Sequence, residues 1–237
     1  MTKTKIQPLT RKSLRGVWSA LIVPWTARDT FNARALAKEI QAHQGLGLSG
    51  LYTGGTTGEF YAQDDETFAQ ITKVACQECH AIGLPVQIGV SALSTRTVIQ
   101  RIKIANKFGA DGLQVALPFW LELKDDEVKR FVHEIAAAAG KTPIILYLTG
   151  RSKRKIGPAL FGQLAKEVPT FIGTKDTGLD VKGLKALLRK APDIAIFGGE
   201  DFYDKLPAGG KGGYCSVTGF NAAKVVDILA GLGALGV

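Results

Sequence analysis

Pro143-Ile144-Ile145-Leu146-Tyr147, then residues 158–166, then Phe171-Ile172-Gly173-Thr174-Lys175-Asp176: an apolar run, an amphipathic stretch, and a second apolar run that ends in charge. The apolar runs are short and β-branched, so they read as buried strands, and the stretch between them has helical periodicity. Pro143 stands just ahead of its strand, where a missing N–H costs little. Outward from this unit the pattern recurs. Strands are predicted at 17–23, 50–52, 86–89, 112–116, 144–147, 171–173, 194–197 and 213–217. Helices are predicted at 33–43, 65–81, 95–108, 126–139, 158–166, 181–189 and 222–230. Leu46-Gly47-Leu48-Ser49-Gly50 and Phe108-Gly109-Ala110-Asp111-Gly112 place glycine where a helix gives way to a strand. Eight strand–helix units point to an α/β fold, a closed (β/α)8 TIM barrel, with residues 1–237 as one domain and 1–15 as a basic N-terminal arm.

Composition narrows the function classes. The chain has 237 residues, 46% hydrophobic and 22% charged, an ordinary globular balance that is ample for one buried core. It contains no apolar run of about 18 residues, and no apolar stretch with a small-residue cleavage site follows the basic start. A membrane partner is therefore not expected, and the cytoplasm is the expected location. The net charge of +9 is scattered, with one dense run at Arg151-Ser152-Lys153-Arg154-Lys155. No aromatic residues interleave with that run, so it reads as a solvated face or a lure for anionic substrates and not as a nucleic-acid surface. Three cysteines do not make a disulfide framework. Cys76-Gln77-Glu78-Cys79-His80 has the spacing of a haem attachment site, but it falls late in a predicted helix, where cysteines three apart are core filler. His43, His80 and His133 are scattered on helical segments, so neither a metal nor a cofactor is expected.

In a barrel of this kind the chemistry gathers at the C-terminal ends of the strands. Unusual polar residues stand there. Strand two runs into Thr53-Gly54-Gly55-Thr56-Thr57-Gly58-Glu59, strand five ends in Tyr147 with Arg151 beyond it, and strand six ends in Lys175. An ammonium beside apolar walls is poorly solvated, which lowers its pKa and frees an amine to attack a carbonyl. The alternative for Lys175 is an ion pair with Asp176 or Glu59. The glycine-rich turn bares N–H groups and hydroxyls suited to a carboxylate or phosphate, and Tyr147 is a candidate proton carrier. A carbonyl-seeking amine, an anion cradle and a proton carrier are together what a 2-oxo acid requires.

Gly55-Thr56-Thr57-Gly58-Glu59, Ile145-Leu146-Tyr147, Ile172-Gly173-Thr174-Lys175-Asp176, Gly198-Gly199-Glu200-Asp201 and Ser216-Val217-Thr218 resemble, in order and spacing, motifs of the dihydrodipicolinate synthase / N-acetylneuraminate lyase family. The resemblance runs from about residue 16 to 230. It implies a lyase that acts on pyruvate or a related 2-oxo acid through a Schiff base, by aldol cleavage or condensation or by dehydration of a sugar acid. Lys175 would form the iminium, and Tyr147 would carry protons through Thr56. Thr57, Gly55, Gly58, Arg151, Trp120 and Ser216 would hold substrate. The sequence departs from the family's pattern at three places. Phe119-Trp120 stands where a tyrosine pair is usual, which implies a bulkier or more apolar pocket. Leu148-Thr149-Gly150 replaces a usual Asn-Val-Pro, with Arg151 one place from the usual arginine. The family's helical C-terminal extension is not expected here, which leaves the usual tetramer, or any other homo-oligomer, open. Two other readings compete. One is a catalytically silent barrel that binds a carboxylate or regulates a partner. The other is a phosphate-binding barrel enzyme using Gly209-Gly210-Lys211-Gly212-Gly213.

Overall fold

The structure is a computed structural model that describes residues 6–234. Residues 1–5 of the basic arm and the last three residues of the predicted domain lie outside the described residues. The strands are β1 (Gly16–Ala20), β2 (Gly50–Thr53), β3 (Val86–Gly89), β4 (Gly112–Ala116), β5 (Ile144–Leu148), β6 (Phe171–Asp176), β7 (Ala195–Gly198) and β8 (Gly212–Cys215). Each pairs in parallel with the next, and β8 returns to β1, so the barrel is closed as the sequence predicts. The helices are α1 (Ala33–Ala42), α2 (Asp65–Ala81), α3 (Thr95–Phe108), α4 (Asp125–Ala139), α5 (Pro158–Glu167), α6 (Val181–Lys190), α7 (Phe202–Lys205) and α8 (Thr218–Ala234). Only the single-turn α7 had no counterpart in the sequence reading. Four starts are fixed by side-chain caps, with Asn32, Asp64, Ser94 and Asp180 each accepting a first-turn N–H, and α5 opens on Pro158. Among the described residues no helix is long and apolar enough to cross a membrane.

Strand alternation sorts the core into two parts. Outward-facing residues such as Leu51, Ile88, Val115, Leu146 and Ile196 pack against the helices. Inward-facing Trp18, Tyr52, Ile145, Phe197 and Tyr214 fill the barrel. Trp18 lies across Gly50, where a Cβ would come within 2.3 Å of its ring. The seam between the last and first strands is tied by a buried polar chain. His43 Nε2 meets Ser19 Oγ at 3.0 Å, Ser19 Oγ meets Thr218 Oγ1 at 2.7 Å, and Thr218 donates to the Cys215 carbonyl at 2.6 Å.

Residues 6–15 are not a loose arm. Leu9 and Leu14 are buried among the inward-facing residues with Ile145 and Ile172, and they close the barrel at the N-terminal ends of its strands. Arg11 Nη2 donates to the Ala165 carbonyl at 2.6 Å, fixing the segment to the end of α5. The glycine run at Gly209–Gly213 enters β8 at this same closed end, beside Gly16. It therefore stands at the opposite end from the strand termini where barrel chemistry sits, and a phosphate cradle there would not serve the site.

Leu14→Ala should lower the stability of the chain by about 2–5 kcal/mol, read from the urea unfolding midpoint. An unshifted midpoint would mean that this segment does not seat in the barrel.

Candidate active site

Lys175 reaches the barrel's interior because β6 contains one extra residue. Ile144 pairs with Phe171 but Ile145 pairs with Gly173, so the strand bulges at Ile172. Beyond the bulge Lys175 sits in register between Tyr147 on β5 and Phe197 on β7. Its Nζ lies 4.7 Å from the centre of the Tyr147 ring and 5.7 Å from those of Tyr52 and Tyr214. The side chain is only 9% exposed.

Neither expected counter-ion holds Lys175. The Glu59 carboxylate accepts from Trp25 Nε1 at 2.5 Å, and Asp176 turns back to accept from the Gly178 N–H at 3.0 Å. No carboxylate among the described residues lies within 4.0 Å of the ammonium. Burial therefore dominates and pushes the Lys175 pKa down, with weaker opposition from Tyr147, Glu200 and Cys215. The tyrosines respond in the opposite sense, because burial raises the pKa of both Tyr52 and Tyr214. The Tyr214 hydroxyl is held by Gln87 Oε1 at 2.8 Å, and its ring packs 4.9 Å from Phe197 and 5.8 Å from Tyr52.

The turn after β2 is shaped by close backbone contact. Gly54 takes φ +75° and lies over Gly89, where a Cβ would fall 2.1 Å from the Gly54 carbonyl. Glu59 and Phe60 donate to the carbonyls of Thr56 and Gly55 at 3.1 and 3.3 Å. The N–H groups of Thr56, Thr57 and Gly58 find no acceptor among the described residues. Consecutive free N–H groups of this kind form an anion-binding concavity.

A cavity of about 270 Å³ adjoins this turn, lined by Gly55, Thr56, Phe60, Tyr61, Ser91, Ala116, Phe119, Tyr147, Thr149, Arg151 and Ser152. It brings together four of the sequence-predicted residues, Gly55, Thr56, Tyr147 and Arg151, and Tyr147 joins it to Lys175. Gly58 is buried within the turn, and Thr57 follows Thr56 without reaching the cavity wall. Trp120 departs from the expectation. It is 73% exposed and its carbonyl accepts from Lys153 Nζ, while Phe119 is the residue on the wall. Ser216 also stands off the wall, donating through both its N–H and Oγ to Glu200 Oε1 at 2.7 and 2.6 Å. Sequence reasoning missed Tyr52, Tyr214, Ser91 and Phe60. For the two tyrosines a signal existed, since each lies two residues from a glycine of its strand on the inward phase.

Cys76 and Cys79 are buried on α2, and burial pushes both thiols up, Cys76 to about 12, so neither is a ready thiolate ligand. His80 bonds instead to Asp111 Oδ2 at 2.9 Å.

Fold and site together define a class, the barrel lyases of class I aldolase type. The chain belongs to the dihydrodipicolinate synthetase family, whose family model matches residues 13–234. It is 29% identical over 225 residues to the N-acetylneuraminate lyase of Pasteurella multocida, covering 92% of this chain and 75% of that protein. It is 33% identical over 189 residues to the 4-hydroxy-tetrahydrodipicolinate synthase of Salinibacter ruber, covering 79% of this chain and 62% of that protein. Among solved structures, YagE, a prophage protein from E. coli K12 belonging to the dihydrodipicolinic acid synthase family and crystallised with pyruvate, superposes with a TM-score of 0.86. It is 24% identical and covers 92% of this chain and 74% of that one. The dihydrodipicolinate synthase from Aquifex aeolicus gives 0.87 at 20% identity, covering 93% of this chain and 77% of that one.

Because Lys175 is harder to charge in the folded chain than in the unfolded one, its burial opposes folding wherever the unfolded lysine is protonated. That penalty is full below the lowered folded pKa and fades as pH rises from there towards the ordinary lysine value. Lys175→Met should accordingly be more stable than the parent at neutral pH, with the gap in unfolding free energy closing in alkaline buffer. A gap that stayed constant or widened with pH would contradict the desolvated ammonium.

Proposed function

We propose that the chain is a lyase acting on pyruvate or a related 2-oxo acid through a Schiff base on Lys175. The observation that carries this reading is a buried lysine with no ion-pair partner among the described residues, facing Tyr147 next to an anion-receptive turn. The amine of Lys175 adds to the keto carbon, water leaves, and an iminium forms that draws electrons from the neighbouring carbon. The free N–H groups at Thr56, Thr57 and Gly58 hold the substrate carboxylate. Tyr147 moves protons, with Thr56 as the adjacent hydroxyl. Arg151, exposed at the edge of the cavity, draws the anionic substrate inward. The amine itself supplies the electron sink, so the reaction as proposed calls on no cofactor and no metal. All three cysteines are free and buried, which suits a protein of the reducing cytoplasm.

Borohydride reduction in the presence of pyruvate, read by peptide mass spectrometry, should leave a reduced pyruvate adduct on Lys175 and none on Lys175→Ala. Folded parent protein that yields no adduct would rule the mechanism out and favour the silent, carboxylate-binding barrel. Tyr147→Phe should still be trapped by pyruvate but lose about 10²–10⁴-fold in kcat, the usual weight of a positioned acid–base group. A loss confined to KM would instead make Tyr147 a binding residue only.

A further inference from the structure

Where the chain leaves the anion-receptive turn, the cavity wall becomes apolar. Phe60 stacks edge-on against Phe119 with centroids 5.9 Å apart at 87°, and against Tyr61 at 5.6 Å and 77°. Ala116 and the Tyr147 ring continue the surface. The polar groups on the wall are largely engaged already. Ser91 Oγ accepts from the Ala116 N–H at 2.9 Å and Thr149 Oγ1 accepts from the Arg151 N–H at 3.4 Å, while Ser152 Oγ has no partner but is buried out of a ligand's reach. Thr56, the Arg151 guanidinium and the hydroxyls of Tyr61 and Tyr147 are left to meet a ligand, and none of them belongs to the Phe60–Phe119–Ala116 face. Against that face a polyhydroxylated aldehyde would bury hydroxyls without partners, each costing on the order of 10- to 100-fold in affinity. An aromatic ring needs no such partners and packs edge-to-face on Phe60 and Phe119. Size agrees, since a dry apolar cavity of about 150 Å³ already accepts benzene and this one is about 270 Å³, with room for a ring and its carbonyl group.

We propose that the second substrate is an aromatic aldehyde held between Phe60, Phe119 and Tyr147, and that Phe119 sets this preference. The inference rests on the Schiff-base reading above. In the condensation direction, the C3–H bond of the pyruvate iminium breaks, the proton leaves to solvent, and the electron pair forms the enamine. C3 then bonds to the aldehyde carbon while the carbonyl π pair moves to oxygen, which takes the Tyr147 hydroxyl proton. The tyrosinate recovers a proton from the water that hydrolyses the new iminium, releasing a 4-aryl-4-hydroxy-2-oxobutanoate and freeing Lys175.

The test is a competition between benzaldehyde and glyceraldehyde for pyruvate, with borohydride trapping of pyruvate run on every protein. The parent should favour benzaldehyde in kcat/KM by on the order of 100-fold, the scale on which a shaped apolar pocket discriminates. Phe119→Ser should cut the benzaldehyde value by about 10-fold or more and narrow the ratio, while Phe119→Leu, still apolar, keeps most of it. Should Phe119→Ser unfold, the parent ratio and Phe119→Leu decide. A trapped adduct with glyceraldehyde preferred, or a ratio that Phe119→Ser leaves alone, overturns the substrate class and spares the Schiff base. Absence of the adduct from folded parent overturns the Schiff base and the substrate class with it.

Discussion

The ammonium of Lys175 is surrounded by aromatic rings and, among the described residues, has no carboxylate within 4.0 Å, and the rest of the barrel is arranged so that this can be so. An ammonium withdrawn from water without a partner gives up its proton more readily, and it stays withdrawn only while the space around it is filled. Phe197 and Tyr214 fill the space beneath, Gln87 fixes the Tyr214 hydroxyl, and Leu9 and Leu14 close the far end. The phase of β6 matters as much as the filling. Without the bulge at Ile172 the pairing begun at Ile144–Phe171 would continue as Ile145–Ile172 and Tyr147–Thr174. Lys175 would then point at the helices, because a one-residue slip turns every side chain over. One extra residue at the entry of β6 therefore decides whether the lysine is buried in the barrel or lost to the outer layer.

Much of this architecture was legible in the sequence, because a parallel strand buried on both faces must be a short apolar run and each helix covering it must be amphipathic. β3 and β4 fall where the runs at 86–89 and 112–116 place them, and α2 and α3 match residue for residue. β6 runs three residues beyond its predicted end, since Thr174, Lys175 and Asp176 read as a polar terminus although Thr174 and Lys175 are buried. The short α7 was invisible because four residues carry no period.

The site was legible where chemistry singled a residue out, and obscure where only phase did. Lys175, Tyr147 and the Gly54–Gly58 turn stand out by residue type. Tyr52 and Tyr214, by contrast, carry only the faint signal of a glycine two residues away, and their bearing on the lysine follows from barrel closure, which brings β2 and β8 around the interior that β6 faces. The loop after β4 has no alternation to fix its phase, so nothing marked Phe119, in place of the expected Trp120, as the residue on the cavity wall. The structure turns Phe119 towards Phe60 and leaves Trp120 outside beside Lys153.

The cavity wall has two unlike parts, and the Tyr147 ring on it lies against the Lys175 amine. On one side, consecutive free N–H groups of the β2 turn offer partial positive charge at fixed positions. On the other, aromatic edges offer area and almost no hydrogen bonding. Tyr147 belongs to both, with its ring over Lys175 and its side chain on the cavity wall. A substrate suited to both halves must carry its charge at one end and its apolar bulk at the other, with the electrophilic carbon between them. Under the proposed Schiff-base chemistry, that polarity sets the direction in which a substrate lies along the Tyr147 ring before any single contact to it is known.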